Sequence, residues 1–223
     1  MAYDGAPRRE ATLVERPELL VVCGIAGLVG SIAPTIMNVI ASTVAQHDFI
    51  ADTISDLGRG PHKWIMDTGF YISAAGLLGL SIGAAHAHLG RAGWSLGIFV
   101  LALTALFTVL LGVWDKFGNG DDLSVHTRLT FALGPLYLLG PIVMAKGIAT
   151  VSKRMVPVFY ASAVLWLVFA TAFKLAPTAY DGILEKIAVL ATMLWTVPLS
   201  WILIERGLQR VDALSRELWS GDR

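Results

Sequence analysis

Six long apolar stretches dominate this chain and decide what it can fold into. They cover residues 19–45, 64–87, 92–114, 125–149, 156–175 and 183–205. About 20 apolar residues in a helix cross the ~30 Å hydrocarbon core of a bilayer. Because lipid offers no partner to backbone polar groups, a single spanning segment of this kind must be helical. The sequence therefore predicts an all-α, polytopic membrane bundle of about six transmembrane helices.

The composition agrees with a membrane protein and argues against two other classes. The chain is 55% hydrophobic and 15% charged, with a formal net charge of +0, whereas soluble domains carry roughly 25% charged residues. Because there is no basic surplus, we expect no nucleic-acid partner. The single cysteine, Cys23, lies within an apolar stretch and cannot form a disulfide bond within the chain.

Positive charges predict the orientation, because cytoplasmic loops carry the excess of lysine and arginine. Eleven of these residues fall on the side that holds both termini and six on the other side. We therefore expect a cytoplasmic segment 1–18, a transmembrane domain 19–205 and a cytoplasmic tail 206–223. The tail alternates apolar and charged residues, which predicts an amphipathic helix on the membrane surface. A helix docked on the inner loops of the protein is the alternative.

Two polar positions inside the apolar stretches stand out. Asn38 shares one face of the first stretch with Ser31, Thr35 and Ser42, a pattern typical of helix packing in membranes. It is the member of that face that could line a cavity. Asp67 lies about one turn inside the second stretch, where an ionised carboxylate is costly and usually faces a partner or water. Asp67 is therefore a functional candidate, with snorkelling to the outer interface as the alternative.

Residues 47–58, between the first two stretches, carry three acids at intervals of four residues. These are Asp48, Asp52 and Asp56, and the spacing predicts a short interfacial helix with all three on one face. Like charges at this spacing repel each other. We expect water, a divalent cation, a nearby basic residue or protonation of one acid to offset the repulsion.

Further polar residues follow the third stretch and open the fourth. Because helix ends on one side of a bundle converge, we expect Asp56, Asp67, Asp115 and His126 to meet in one pocket near the outer interface. Carboxylates and a histidine there could bind a divalent metal ion, zinc or calcium, and activate water. They could instead act as general acid and base without a metal. The spacing matches no compact metal-ligand motif.

Short motifs on this side of the bundle resemble those of a known family. Thr53-Ile54-Ser55-Asp56-Leu57-Gly58 lies between the first two stretches, an acidic, glycine-rich turn follows the third, and Val125-His126 opens the fourth. These resemble the bacterial membrane family catalogued as domain of unknown function 998, which is distantly similar to six-span proteins of the Frag1/DRAM type. A proline common in the turn after the third span is replaced here by Lys116-Phe117-Gly118.

The resemblance would extend from about residue 19 to residue 206. It implies a six-helix bundle in a bacterial inner (plasma) membrane and identifies Ser55, Asp56 and His126 as the residues that match the family's motifs. It supplies no established activity.

Two functional hypotheses follow. In the first, the protein is a membrane-embedded enzyme that acts on a lipid or isoprenoid headgroup at the outer leaflet, with Asp56 and His126 as the catalytic pair. Asp67, Asp115 and His126 would be the metal ligands. The supporting residues would be Ser55, Asp52 and Asn38.

In the second hypothesis, the protein is a non-catalytic bundle that binds a lipid or a pigment, or an accessory subunit of a larger membrane complex. The expected partners are then membrane lipids and other membrane subunits. A small-solute transporter ranks last, because the stretches lack the deeply placed charges that such pathways usually need.

Overall fold

The computed structural model describes residues 15–90, 92–113 and 124–220. Six helices in this part of the chain are long and apolar enough to cross a membrane. They are α1 (Pro17–Val44), α2 (Lys63–Ala87), α3 (Ala92–Val113), α4 (Val125–Ile148), α5 (Val156–Leu175) and α6 (Asp181–Ser220). The predicted all-α, polytopic membrane bundle is confirmed, and five of the six predicted spans agree with these bounds to within a few residues.

The six helices form a ring. Each helix contacts its neighbour in the chain, and α6 returns to contact α1. Successive helices in such bundles run antiparallel, so the first residue of α1 lies at one end, which we call the proximal end. The proximal end also holds the C-terminal part of α6, since Gly207 lies against Pro17. The opposite end, which holds the start of α2, α4 and α6, is the distal end.

The contact between α1 and α2 depends on small residues. A Cβ atom added to Gly76 would lie 2.6 Å from the carbonyl oxygen of Ala26 and 2.7 Å from the Cα atom of Gly30. Glycine therefore lets the two backbones touch, which is how helices commonly associate where lipid provides no hydrophobic contrast. Helix α1, which carries the predicted polar face, and helix α2, which carries these small residues, pack against each other in the bundle.

The proximal half of the ring is filled by large side chains. Trp195 and Phe159 are both fully buried and meet edge to face, with ring centroids 6.2 Å apart. Met144 and Leu199 belong to the same core cluster. This core fills the proximal half of the ring.

The last helix is longer than predicted. The helix α6 runs for 40 residues, from Asp181 to Ser220, so the tail 206–223 continues α6 as far as Ser220. At the proximal end, the Glu15 carboxylate pairs with Arg206 and, over 3.4 Å, with Arg210. Glu15, two residues before α1, is thereby tied to α6.

Candidate functional site at the distal end

The acidic segment between α1 and α2 is mostly not helical. Helical geometry is confined to a 3₁₀ turn, Ile54–Gly58, because the aspartates bond to their own backbone. The Asp48 carboxylate accepts hydrogen bonds from the N–H groups of Ile50 and Ala51, and the Asp52 carboxylate accepts one from the N–H of Asp48. Aspartate side chains that bond in this way compete with helix formation. The predicted short helix is therefore present over five residues only.

The Asp56 carboxylate closes the start of the 3₁₀ turn. It accepts hydrogen bonds from the backbone N–H of Thr53, over 2.8 Å, and from the Thr53 hydroxyl, over 2.6 Å. It also forms an ion pair with Arg59, over 3.2 Å. Its described contacts therefore hold the turn that contains Ser55.

The first turns of α6 bind the same segment from the other side. Ile183 donates its backbone N–H to the Ile50 carbonyl over 2.8 Å, and the Glu185 carboxylate accepts the N–H of Ile54 over 2.6 Å. Gly182 allows this contact, because a Cβ atom there would lie 2.1 Å from the Asp52 carbonyl oxygen. The segment is thus held rigidly against the distal end of α6.

This arrangement brings Ser55 to His126. The Ser55 Oγ atom lies 3.1 Å from the His126 Nε2 atom, within hydrogen-bond distance. His126 is 7% exposed and lies in the first turn of α4, whose start is capped by the Ser124 hydroxyl accepting the Thr127 N–H over 3.1 Å. A helix cap on one side and the α6 contacts on the other therefore fix both members of the pair.

The Ser55–His126 pair faces a large cavity inside the ring. The cavity has a volume of about 670 Å³ and is lined by residues from all six helices and from the 3₁₀ turn. Its lining is mostly apolar or aromatic, and Phe70, Leu138 and Trp166 are among these residues. Charged groups at the distal level are Glu185 and Lys174. The charged groups of the cavity thus lie near the pair, and the deeper lining is uncharged.

A second cavity lies on the other side of the 3₁₀ turn. Its volume is about 520 Å³, and its lining includes His47, Asp52, Asp56 and His62. The sequence predicted a single distal cluster, whereas Ser55 and Asp56 line different cavities. Adjacent residues of a tight turn point in different directions, so the turn separates the acids from the serine.

His47 is the buried ionisable group of this second cavity. Its side chain is 2% exposed, and its Nδ1 atom lies 3.7 Å from the Asp52 carboxylate. Burial lowers the pKa of His47 below its ordinary value, and the charge of Lys186 lowers it further, against the opposing effect of Asp52. Neutral imidazole is therefore favoured in the folded protein.

The remaining predicted site residues lie elsewhere. The Asp67 carboxylate forms an ion pair with Lys63 over 3.0 Å, one turn back along α2, and lines neither cavity. Asn38 is buried in α1 and is not among the residues that line the large cavity. Asp115 lies outside the described residues. Among the residues that are described, no group of three histidine, cysteine, aspartate or glutamate side chains is arranged to hold a metal ion.

Sequence reasoning missed the two charged residues that anchor the site. Glu185 and Lys186 lie one turn inside α6, and Lys186 is 5% exposed. Ionisable residues inside an apolar span are costly and usually have a role. That rule, which drew attention to Asp67, applies equally to these two positions.

Comparison with known proteins identifies a family. A family model described as "Protein of unknown function (DUF998)" matches residues 21–202. No curated protein and no solved structure matches the chain. Since the match covers most of the chain, the protein belongs to the DUF998 family, as the resemblance predicted. The more distant likeness to proteins of the Frag1/DRAM type stays a prediction.

Proposed function

We propose that this member of the DUF998 family is a membrane-embedded hydrolase or transferase that acts on an ester near the headgroup of a lipid or isoprenoid amphiphile. Ser55 is the nucleophile and His126 the general base. The observation that carries the proposal is the 3.1 Å separation of Ser55 Oγ and His126 Nε2 in the wall of a cavity of about 670 Å³. A serine activated by an adjacent histidine is the usual arrangement for acyl transfer.

The pair can carry out both halves of such a reaction. With the imidazole proton on Nδ1, Nε2 accepts the Ser55 proton as Oγ attacks the ester carbonyl carbon. The ester C–O bond then breaks, and the leaving alcohol takes the proton from Nε2. A water molecule or a second alcohol attacks the Ser55 ester, His126 accepts its proton, and Ser55 is released with its proton restored.

The surrounding contacts fit a positioning role in this reaction. The carboxylates of Asp56 and Glu185 accept the backbone N–H groups of Thr53 and Ile54, the two residues before Ser55, so the nucleophile is held before any substrate arrives. Such preorganisation lowers the cost of reaching a reactive geometry. Lys174 lines the same cavity and is the cation that would attract an anionic headgroup.

We also propose the orientation that the charge bias favours. The proximal end, with both termini, would face the cytoplasm of a bacterial cell, and Ser55 and His126 would lie at the outer leaflet of the plasma membrane. The lysine and arginine excess on the proximal side supports this placement. A cysteine-accessibility assay on intact cells, with a single cysteine introduced at exposed Pro61 in a Cys23→Ser background, would label only if the distal end faces outward.

A fluorophosphonate probe tests the function without knowledge of the substrate. Protein in detergent is treated with an alkyl fluorophosphonate, and the modified peptide is identified by mass spectrometry. We expect an adduct on Ser55 in the native protein and none in Ser55→Ala or His126→Gln.

Ser31→Ala is the matched control for this experiment. Ser31 lines the same cavity, but its hydroxyl donates to the Gly27 carbonyl, so its loss should leave Ser55 reactive. Absence of an adduct on Ser55 in folded native protein, or equal labelling of His126→Gln, would overturn the proposal.

A second candidate function is non-catalytic binding of a lipid or pigment, alone or as a subunit of a larger complex. The aromatic and apolar lining of the cavity favours it, because such pockets hold ligands by burial with few polar contacts. It predicts that Ser55 does not react with the probe and that a lipid or pigment co-purifies with both native protein and Ser55→Ala.

A further inference from the structure

The geometry points to a lateral opening between the distal halves of α4 and α5, through which the acyl chain of a bilayer lipid enters the large cavity. This identifies the ligand class as a membrane lipid taken from the leaflet at the distal end. Any effect of this route on enzymatic turnover rests on the proposed function, whereas the entry of the lipid acyl chain does not depend on it.

The opening is located by the residues that line the cavity and are also exposed. Six of the described lining residues are exposed, and all of them belong to α4 or α5. They are Phe131, Pro135, Leu167, Thr171, Lys174 and Leu175. The described lining residues of the other four helices are buried or half-buried. A side chain can face both the cavity and the outside only where the wall is incomplete, so the ring is open between α4 and α5.

The packing of α5 explains why the wall is incomplete there. Within α5, which the structure describes throughout, the buried residues are Phe159, Ser162 and Ala163. All three lie in the proximal half, where Phe159 packs on Trp195. The distal half of α5 is therefore held less closely against the ring than its proximal half.

Two aromatic contacts form the proximal edge of the opening. The Trp166 indole N–H donates to the Gly134 carbonyl over 3.0 Å, and its ring lies 4.8 Å from that of Tyr137. Beyond this edge, a Cβ atom on Gly134 would meet no atom within 4 Å. The space next to Gly134 is thus free to accept an aliphatic chain.

The surroundings of the opening select a lipid over a water-soluble ligand. Both helices that flank it are long and apolar enough to cross a membrane. Material that reaches an opening at this level comes from the hydrocarbon region of the bilayer. Lys174, which lies 4.3 Å from the centre of the Phe173 ring, is one residue from the end of α5. A chain inserted toward Trp166 would therefore leave its headgroup near Lys174 and Ser55.

Photocrosslinking tests this entry route directly. The full chain is reconstituted in vesicles of phosphatidylethanolamine and phosphatidylglycerol that contain a trace of phosphatidylglycerol with a diazirine in one acyl chain. After illumination, adducts are mapped by mass spectrometry. We expect adducts on Val189 and Thr192, which line the cavity from α6, opposite the opening.

Blocking variants make the test specific. Ala170→Trp and Gly134→Leu each add bulk at the opening and should reduce adducts on α6 by about tenfold, which corresponds to a loss of ~1.4 kcal/mol in binding. Leu106→Trp is the control, since Leu106 is 51% exposed on α3 and lies away from the cavity. A thermal melt of each variant checks that it is folded. Two blocking variants are used so that one can still test the route if the other does not fold.

The outcomes separate entry from chemistry. Adducts confined to outer-facing residues such as Leu139 and Val164, or α6 adducts that survive in both folded blocking variants, would overturn the lateral route. Ser55→Ala should keep the α6 adducts. If lipid enters but Ser55 does not react with a fluorophosphonate, the lateral route stands and the hydrolase proposal fails. If Ser55 reacts but no lipid reaches α6, the hydrolase proposal stands and the lateral route fails.

Discussion

The Lys186 ammonium group donates a hydrogen bond to the Asp52 backbone carbonyl over 2.7 Å. The same Nζ atom lies 4.8 Å from the centre of the Phe49 ring and 3.4 Å from the Gly182 carbonyl. A cation inside the first turns of α6 is thus satisfied by the segment that carries Ser55. Helix α6 thereby determines where the proposed nucleophile lies.

Replacing Lys186 with methionine should weaken this attachment. The methionine keeps most of the apolar stem but leaves the Asp52 carbonyl without its donor, which costs about 1–3 kcal/mol for a buried group. We expect a lower melting temperature in detergent and slower fluorophosphonate labelling of Ser55. Lys153→Met, at an exposed position, is the control, and equal behaviour of the two variants would contradict the role given to Lys186.

Replacing Gly76 with alanine should destabilise the contact between α1 and α2. The added methyl group would overlap the Ala26 carbonyl and the Gly30 backbone, neither of which can rotate away. Overpacking of this kind costs about 1–3 kcal/mol. Gly134→Ala makes the same chemical change where no atom lies within 4 Å, so its unfolding midpoint in a denaturant titration should change little. Similar losses in both variants would argue against close backbone contact.

The buried histidine of the second cavity should make the fold sensitive to mild acid. Because the pKa of His47 is lowered below its ordinary value of 6.5, the unfolded chain binds a proton before the folded protein does. Stability from this group is therefore complete above that value and declines as the pH falls below it. Between neutral and mildly acidic pH, the melting temperature of His47→Gln should fall less than that of the native protein.

His88→Asn is a suitable control for the acid experiment. His88 is exposed and has a positive φ of 49°, a conformation that asparagine tolerates. This variant should keep the acid sensitivity of the native protein. If it loses that sensitivity while His47→Gln keeps it, the assignment to His47 is wrong.

The Glu15 pair at the proximal end should also stabilise the bundle at neutral pH, and its contribution should be lost at more acidic pH than that of His47. Burial raises the pKa of Glu15, but the hydrogen bond and charge of Arg206, with Arg210, outweigh it, and the pKa is lowered. A lowered carboxylate pKa contributes stability above its unfolded value of 4.5, which is lost as the pH falls through the folded value.

Glu15→Gln should therefore lower stability by about 1 kcal/mol at neutral pH, as expected for a partly exposed ion pair. Chemical unfolding in detergent measures this change. Glu205→Gln removes an exposed acid from the neighbouring turn of α6 and should have a smaller effect. A larger effect of the control would show that general charge, and not the Glu15 pair, determines stability.

The sequence predicts the spans well because their length and hydropathy follow from the bilayer itself. It does not predict the geometry around Ser55. Four-residue spacing placed Asp48, Asp52 and Asp56 on one helical face, whereas each carboxylate accepts backbone N–H groups within the segment.

Pairing across the site also depends on tertiary contacts that spacing does not reveal. The sequence paired Asp56 with His126, whereas the structure places Ser55 beside His126 because α6 and the 3₁₀ turn set the direction of each side chain. The assignment of Asp56 and His126 as a catalytic pair stays a prediction. The sequence signal that could have located the site was the pair of charged residues Glu185 and Lys186, because few ionisable groups lie inside the spans.

Helix α6 extends for 40 residues, about 60 Å at 1.5 Å per residue, and it carries Lys186 near one end and Arg206 and Arg210 toward the other. A single helix, with Pro198 inside it, thereby joins the two ends of the bundle. One helix thus supports the segment that carries Ser55 through Lys186 at the distal end and holds Glu15 through Arg206 at the proximal end.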